Sequence, residues 1–171
     1  MAEGAGAGAL LEKLTPTDVG AITEGRVRYS LFLNANGGIL DDLMIARINN
    51  SLQLVVNASR ATHDIAHLRS HLDTNTVISV LENQALLALQ GPASSTVLEN
   101  LGLNLIGFTF MQIRQFELLG LLVTITRSGY TGEDGFEISV PAVDAVRLAE
   151  ALLSDDNVML AGLGARDPLR M

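Results

Sequence analysis

The sequence contains no cysteine. That excludes a disulfide frame and a thiolate nucleophile, and it leaves any metal site to histidines and acids alone. Lysine occurs once, as Lys13 in an irregular N-terminal region, so Schiff-base chemistry has little to work with. Basic residues are scarce as a class: 11 against 19 acids give a formal net charge of -8. Such a balance argues against nucleic acid and against an anionic membrane as partners. No apolar run reaches the ~18 residues of a membrane span. The nearest, residues 108–116 and 118–125, is broken by Arg114 and Glu117. The opening residues lack the basic and apolar regions of a signal peptide and carry an early Glu3. Their Gly/Ala repetition suggests a flexible lead-in over residues 1–24. No Gly-x-Gly-x-x-Gly dinucleotide fingerprint is present. A soluble intracellular protein with a cytoplasmic location is the expectation from these absences.

What is present is enough apolar residue, 48% of 171, to bury a core in one domain or two small ones. Alternation and turn signals predict an α+β pattern. Strands are expected over residues 28–33, 39–48 and 52–57, with a tight turn at Asn49-Asn50. A helix is expected over residues 61–72, with Ile65, Leu68 and Leu72 on its apolar face. Short strands follow over 76–81 and 85–90, and Gly91-Pro92 opens a helix to residue 101. Strands over 108–113, 119–126, 136–140 and 159–163 and a helix over 143–153 complete the pattern. The division expected is a lead-in over 1–24, a β-rich subregion over 25–84 and an α+β subregion over 85–171.

One stretch concentrates glycine and acid: Gly129-Tyr130-Thr131-Gly132-Glu133-Asp134-Gly135-Phe136-Glu137. A plain hairpin needs one Asp-Gly pair, and here three glycines and three carboxylates share a turn. Phe136, Ile138 and Val140 fall on one strand face, and Glu137 falls on the other. A carboxylate held there can accept two donors from a flat heterocycle; the plainer reading is a surface hairpin with solvated acids. The second stretch runs from Tyr29-Ser30 through Asn36-Gly37-Gly38-Ile39-Leu40-Asp41-Asp42-Leu43. Two adjacent acids interrupt an apolar strand. Strand alternation sends Asp41 and Asp42 to opposite faces, and an acid amid Ile39, Leu40, Leu43 and Ile45 needs a partner or a ligand amine. The plainer reading is again a pair of solvated aspartates beside a turn.

All three histidines, His63, His67 and His71, lie four apart on the helix expected at residue 61. Three such ligands cannot converge on one ion, because helix rise sets the outer pair ~12 Å apart. His63 and His67 alone need a carboxylate to complete a clip. A solvated histidine face, with no metal, is the expectation.

The two acid stretches, with Val55-Val56-Asn57-Ala58, Leu89-Gln90-Gly91-Pro92 and Gly162-Leu163-Gly164-Ala165-Arg166-Asp167, occur in an order and spacing that resemble the aminomethyltransferase (T-protein) family of the glycine cleavage system. The resemblance covers about residues 25–171. It implies a T-protein-like folate-binding fold of antiparallel sheets with flanking helices, incomplete at both ends, as in an internal fragment of the family. It implies transfer of a one-carbon unit from an aminomethyl-lipoyl H-protein to tetrahydrofolate, giving methylenetetrahydrofolate, ammonia and the dihydrolipoyl protein. The family's key acid corresponds to Asp42, with Asn57 beside it. Tyr29 and Tyr130 are then flat walls for the folate rings, Glu137 an acceptor for the pterin donors, and Arg166 a ligand contact or a clamp on a site carboxylate. The partner implied is the lipoylated H-protein, and self-association through uncovered strand edges is a further expectation. The alternatives are an inactive or partial fragment of such an enzyme, or the folate-binding module of a related demethylase or iron-sulfur maintenance protein.

Overall fold

The N-terminal residues belong to a core. In the computed structural model, which describes residues 1–162 and 164–165, the chain divides into two units, Met1–Leu81 and Glu82–Met171. The first unit opens with a two-residue strand β1 (Ala2–Glu3) and a helix α1 (Ala7–Leu14). The spacing of Ala7, Leu10, Leu11 and Leu14 is that of one helix face, and all four are buried. Residues 1–24 are therefore not the flexible lead-in that their composition suggests. Small Ala and Gly residues let this segment pack closely, and Val19 and Ile22 behind α1 join the same cluster.

Strands β2 (Val27–Leu33), β3 (Ile39–Ile48) and β4 (Ser51–Val56) form an antiparallel meander. Asn49 and Asn50, at φ 51° and 62°, make the turn between β3 and β4; positive φ at both central residues matches the right-handed twist of the strands. Helix α2 (Ala61–Ser70) follows, and strand β5 (Val77–Ile78) completes a sheet of order β2-β3-β4-β1-β5. Strand alternation puts Phe32, Leu43, Ile45 and Leu52 on the face that packs with α1 and with Leu68 of α2.

The apolar face expected on α2 is only partly correct. Leu68 is buried, but Leu72 is exposed and lies beyond the helix, and the second buried residue is Asp64. The histidine face is not uniformly solvated either: the His67 ring meets Phe32 edge-on, with centroids 5.7 Å apart.

The second unit carries strand β6 (Gln84–Gln90), helix α3 (Ser94–Asn100), strands β7 (Ile113–Leu118), β8 (Leu121–Thr126) and β9 (Gly135–Pro141), and helix α4 (Ala145–Leu153). Its antiparallel sheet has the order β6-β9-β8-β7. Phe136, Ile138 and Val140 of β9 are each 0% exposed and pack with Leu148 and Leu152 of α4 and Val97 and Leu98 of α3. The strand expected over 108–113 does not form. Gly107 and Met111 take positive φ, 67° and 60°, which breaks extension, and the strand begins at Ile113, past Phe108, which reaches the core from a loop. Residues 159–162 are likewise not a strand.

Candidate functional site

Within the first unit, register assembles one acid-centred cluster. Leu43 pairs with Val56, so one further step sets Asn57 opposite Asp42. Tyr29 pairs with Met44, which makes Asp42 its diagonal neighbour on the same face. The Tyr29 hydroxyl donates to Asp42 Oδ2 at 3.0 Å, and Asn57 Nδ2 donates to Asp42 Oδ1 at 2.5 Å. Tyr29 is 51% exposed and Asn57 is exposed, so the cluster is open to a ligand.

Asp41 lies on the opposite, helix-packed face, as alternation requires. The two acids are not independent, however. Asp41 folds back along the strand so that its Oδ1 accepts from the Asp42 backbone N–H at 3.0 Å and from Asn57 Nδ2 at 3.0 Å. A register shift between Phe32 and Leu33 gives β3 an extra residue here, since Phe32 pairs with Asp41 and Leu33 with Ile39. Burial acts to raise the Asp41 carboxyl, but the Asp42 N–H and the Asn57 amide outweigh it and hold the group below the usual carboxylate range.

In the second unit the Gly129–Gly135 turn is held from beneath. Gln90 Nε2 donates to Ser128 O at 3.1 Å and to Phe136 O at 3.2 Å, on either side of the turn. Its amide occupies the space a Cβ would take at Gly129 and Gly135, so a side chain at either position would displace it from its two bonds. Arg127 forks onto Asp134, with Nε to Oδ1 at 2.9 Å and Nη2 to Oδ2 at 2.6 Å. Its Nη1 donates to Phe108 O at 2.5 Å, and Ser95 Oγ donates to Asp134 Oδ2 at 2.8 Å. The guanidinium lies 5.3 Å from the Phe136 ring centroid. The Arg127 hydrogen bonds hold the Asp134 carboxyl below its ordinary range, and Asp134 in turn raises Arg127. Glu137, on the face of β9 away from the core, receives the Ser128 hydroxyl on Oε2 at 3.0 Å. Tyr130, at the tip of the turn, is 39% exposed.

Tyr29, Asp42 and Asn57 thus meet in the first unit, and Tyr130 and Glu137 share the turn and strand of the second. Arg166 lies outside the described residues. Among the described residues no group of histidines and acids is arranged to hold a metal, and no helix is long and apolar enough to cross a membrane. Two buried or paired polar residues, Asp64 and Arg127, carry no motif. Asp64 could have been found from helical spacing, four residues before Leu68 on the same stripe. Arg127 had no comparable signal beyond its place next to Ser128-Gly129.

A family model described as the GCVT N-terminal domain matches residues 1–171. The chain belongs to this family. The match includes the first 24 residues, which the motif resemblance did not reach. The chain is 42% identical to an aminomethyltransferase of Exiguobacterium sibiricum over 98% of its own length and 47% of that protein. It is 40% identical to the mitochondrial aminomethyltransferase of Dictyostelium discoideum over 94% of the chain and 44% of the relative. A crystal structure of the glycine cleavage system aminomethyltransferase T from Bartonella henselae superposes with a TM-score of 0.89 at 44% identity, covering 99% of this chain and 46% of that one. The chain thus spans less than half the length of these relatives.

The expectation of a cytoplasmic location is overturned. The relatives from Dictyostelium discoideum, Pisum sativum and Saccharomyces cerevisiae are mitochondrial proteins. An acidic, cysteine-free composition fits a mitochondrial interior as well as a cytosol, so it had no power to separate them.

Proposed function

We propose that this GCVT-family chain takes part in tetrahydrofolate-dependent aminomethyl transfer, with Asp42 as the acid that faces the reacting nitrogens. The observation that carries the reading is the meeting of Asp42, Tyr29 and Asn57 on one open sheet face. Tetrahydrofolate is an acceptor substrate here, and the chemistry of these groups fits it. A reduced pterin presents ring N–H and amino donors, which suit a carboxylate acceptor such as Glu137. Tyr29 in the first unit and Tyr130 in the second are each a partly exposed flat face of the kind that suits a folate ring. Asp42 would orient the folate amine and stabilise positive charge as the one-carbon unit arrives from the lipoyl arm of the H-protein, and Asn57 would act as a neutral hydrogen-bonding neighbour. Arg166 would contact the ligand or a site carboxylate.

The test is calorimetric titration of tetrahydrofolate into the 171-residue chain, followed by transfer from aminomethyl-lipoyl H-protein. Asp42→Asn is expected to abolish transfer. Glu137→Gln is expected to weaken folate binding about tenfold or more, since a charged acceptor contributes roughly 1.5–3 kcal/mol. A folded chain that binds no folate at millimolar concentration would overturn the proposal for this chain. It would favour the alternative of a family member without activity of its own.

A further inference from the structure

Two neighbouring carboxyl groups in the first unit each keep one buried oxygen without a donor. Asp64, in the first turn of α2, has a side chain only 1% exposed. Its Oδ1 lies 3.2 Å from His63 Nδ1, and its Oδ2 is buried with no donor in reach. Across from it, on the helix-packed face of β3, Asp41 uses Oδ1 for the Asp42 N–H and for Asn57, and its Oδ2 is also buried with no donor. The two carboxyl groups are close enough to act directly on one another, and each keeps a buried oxygen without a donor. An ionised carboxylate accepts only, so two ionised groups cannot bond to each other. One proton between them satisfies both orphaned oxygens at once and removes the repulsion of like charges.

We propose that Asp41 and Asp64 hold a single proton between them, and that Asp64 is thereby a positioning residue for the Asn57–Asp42 pair. The chain of contact is short. Asp64 fixes Asp41, and Asp41 Oδ1 takes one hydrogen of the Asn57 amide while Asp42 Oδ1 takes the other. With both amide hydrogens committed, Asn57 can offer only its carbonyl oxygen, an acceptor, to a ligand. The amide orientation at the candidate site is then set from the opposite face of the sheet.

The groups around the pair agree with this arrangement. His63 faces Asp64 from its own helix, Arg60 at the helix start acts on Asp41 and reaches to 3.5 Å from His63 Nδ1, and Asp42 adjoins on β3. Burial raises the Asp64 carboxyl above its usual range; the His63 hydrogen bond opposes this, and Asp41 adds to the rise. Asp41 moves the other way. The sign for stability follows. A raised Asp64 contributes stability that is fully present below its unfolded value and lost as pH rises through its folded value. Asp41 contributes stability above its unfolded value that is lost as pH falls.

The inference rests on Asp42 being the acid of the folate site for its functional half, and the test separates the two halves. Carbon-13 labelling of the aspartate carboxyls in the intact chain, followed by NMR titration, reads the proton directly. Asp64 is expected to titrate above and Asp41 below the ordinary carboxyl value of about 3.9. Asp64→Asn keeps a donor toward Asp41 Oδ2. It is expected to keep tetrahydrofolate affinity within about threefold and to lose the high-pH decline in melting temperature. Asp64→Ala removes the donor and is expected to weaken affinity about tenfold. Ordinary midpoints for both carboxyls would overturn the shared proton, and equal behaviour of the Asn and Ala variants would overturn the positioning role. If Asp64→Ala does not fold, the titrations of the parent chain and of Asp64→Asn still decide. If the parent chain binds no folate, the proposed function falls, while the carboxyl titration judges the proton pair on its own.

Discussion

The two units each place aspartate beside an amide or a guanidinium, and they use it in opposite ways. In the second unit Asp134 is closed: a forked arginine and a serine hydroxyl satisfy it, and the arginine also holds the backbone of Phe108 and lies near the Phe136 ring. In the first unit Asp41, Asp42 and Asp64 gather with no forked cation, and two of their oxygens are buried without a donor. A closed acid fixes a loop. An acid cluster left short of donors keeps capacity for a proton or a ligand, at a cost in stability. Asp134 fixes the Gly129–Gly135 turn that carries Tyr130 and precedes Glu137, whereas Asp42 stands in an open cluster of its own.

The largest expected effect comes from opening the closed acid. Arg127→Ala removes the fork, the bond to Phe108 O and the ring contact together, and it strands Asp134. Breaking a buried pair costs about 3–5 kcal/mol. Both side chains here are a quarter to a third exposed, 24% and 31%, so about 2–4 kcal/mol is expected after screening. Urea unfolding measures it. A loss below about 0.5 kcal/mol, the level of an exposed pair, would erase the contrast between the units.

Next is the support beneath the turn. Gly135→Ala drives a methyl into the Gln90 amide and costs that side chain its two bonds to Ser128 O and Phe136 O. The expected loss is about 1–3 kcal/mol. In a Gln90→Ala background the clash with the Gln90 amide is gone, and most of the loss should vanish as a coupling energy. Equal losses in both backgrounds would mean that something other than Gln90 demands glycine.

These two positions also mark where the sequence was legible. Phe136, Ile138 and Val140 announced their face by simple alternation, and the acid in the middle of that strand announced its own. The Asn49-Asn50 turn and the limits of β3 were equally local. What was not legible depends on contacts distant in sequence. Gln90 reaches 38 and 46 residues ahead to Ser128 and Phe136. The Gly/Ala opening is ordered only because Leu10, Leu11 and Leu14 find Phe32, Ile45 and Leu68. The 108–113 segment looked extended because composition cannot show that Met111 takes a left-handed φ. Asp41 and Asp42 were assigned to opposite faces, which holds for their backbone. Side-chain return to the Asp42 N–H then lets both reach Asn57, and alternation says nothing about that.

A smaller effect tests the closed acid by pH. Arg127 holds Asp134 below its ordinary range. Its contribution is therefore present above the unfolded value of about 3.9 and is lost as pH falls through the lower folded value. The stability margin of the parent chain over Asp134→Asn is expected to be about 1–2 kcal/mol at pH 7. It should shrink steadily below pH 4, as read by thermal melts. A margin independent of pH would mean that Asp134 acts by shape and not by charge.

The smallest expected effect on stability is the most informative for function. Asp42→Asn makes the same chemical change as Asp134→Asn, a carboxylate to an amide, but in the cluster that lacks a forked cation. The new amide can turn its oxygen to Asn57 Nδ2 and its nitrogen to the Tyr29 hydroxyl, which then accepts in place of donating. Both hydrogen bonds survive, and one negative charge is removed beside Asp41. The expected change in unfolding free energy is within about 0.5 kcal/mol of zero, in either direction, as for a substitution that leaves no group unpaired. Aminomethyl transfer, by contrast, should disappear. A stability loss as large as that of Asp134→Asn would make Asp42 another structural acid and remove the reason for placing the chemistry in the first unit. A silent change in stability joined to lost transfer would show that the carboxylate is kept there for its ligand.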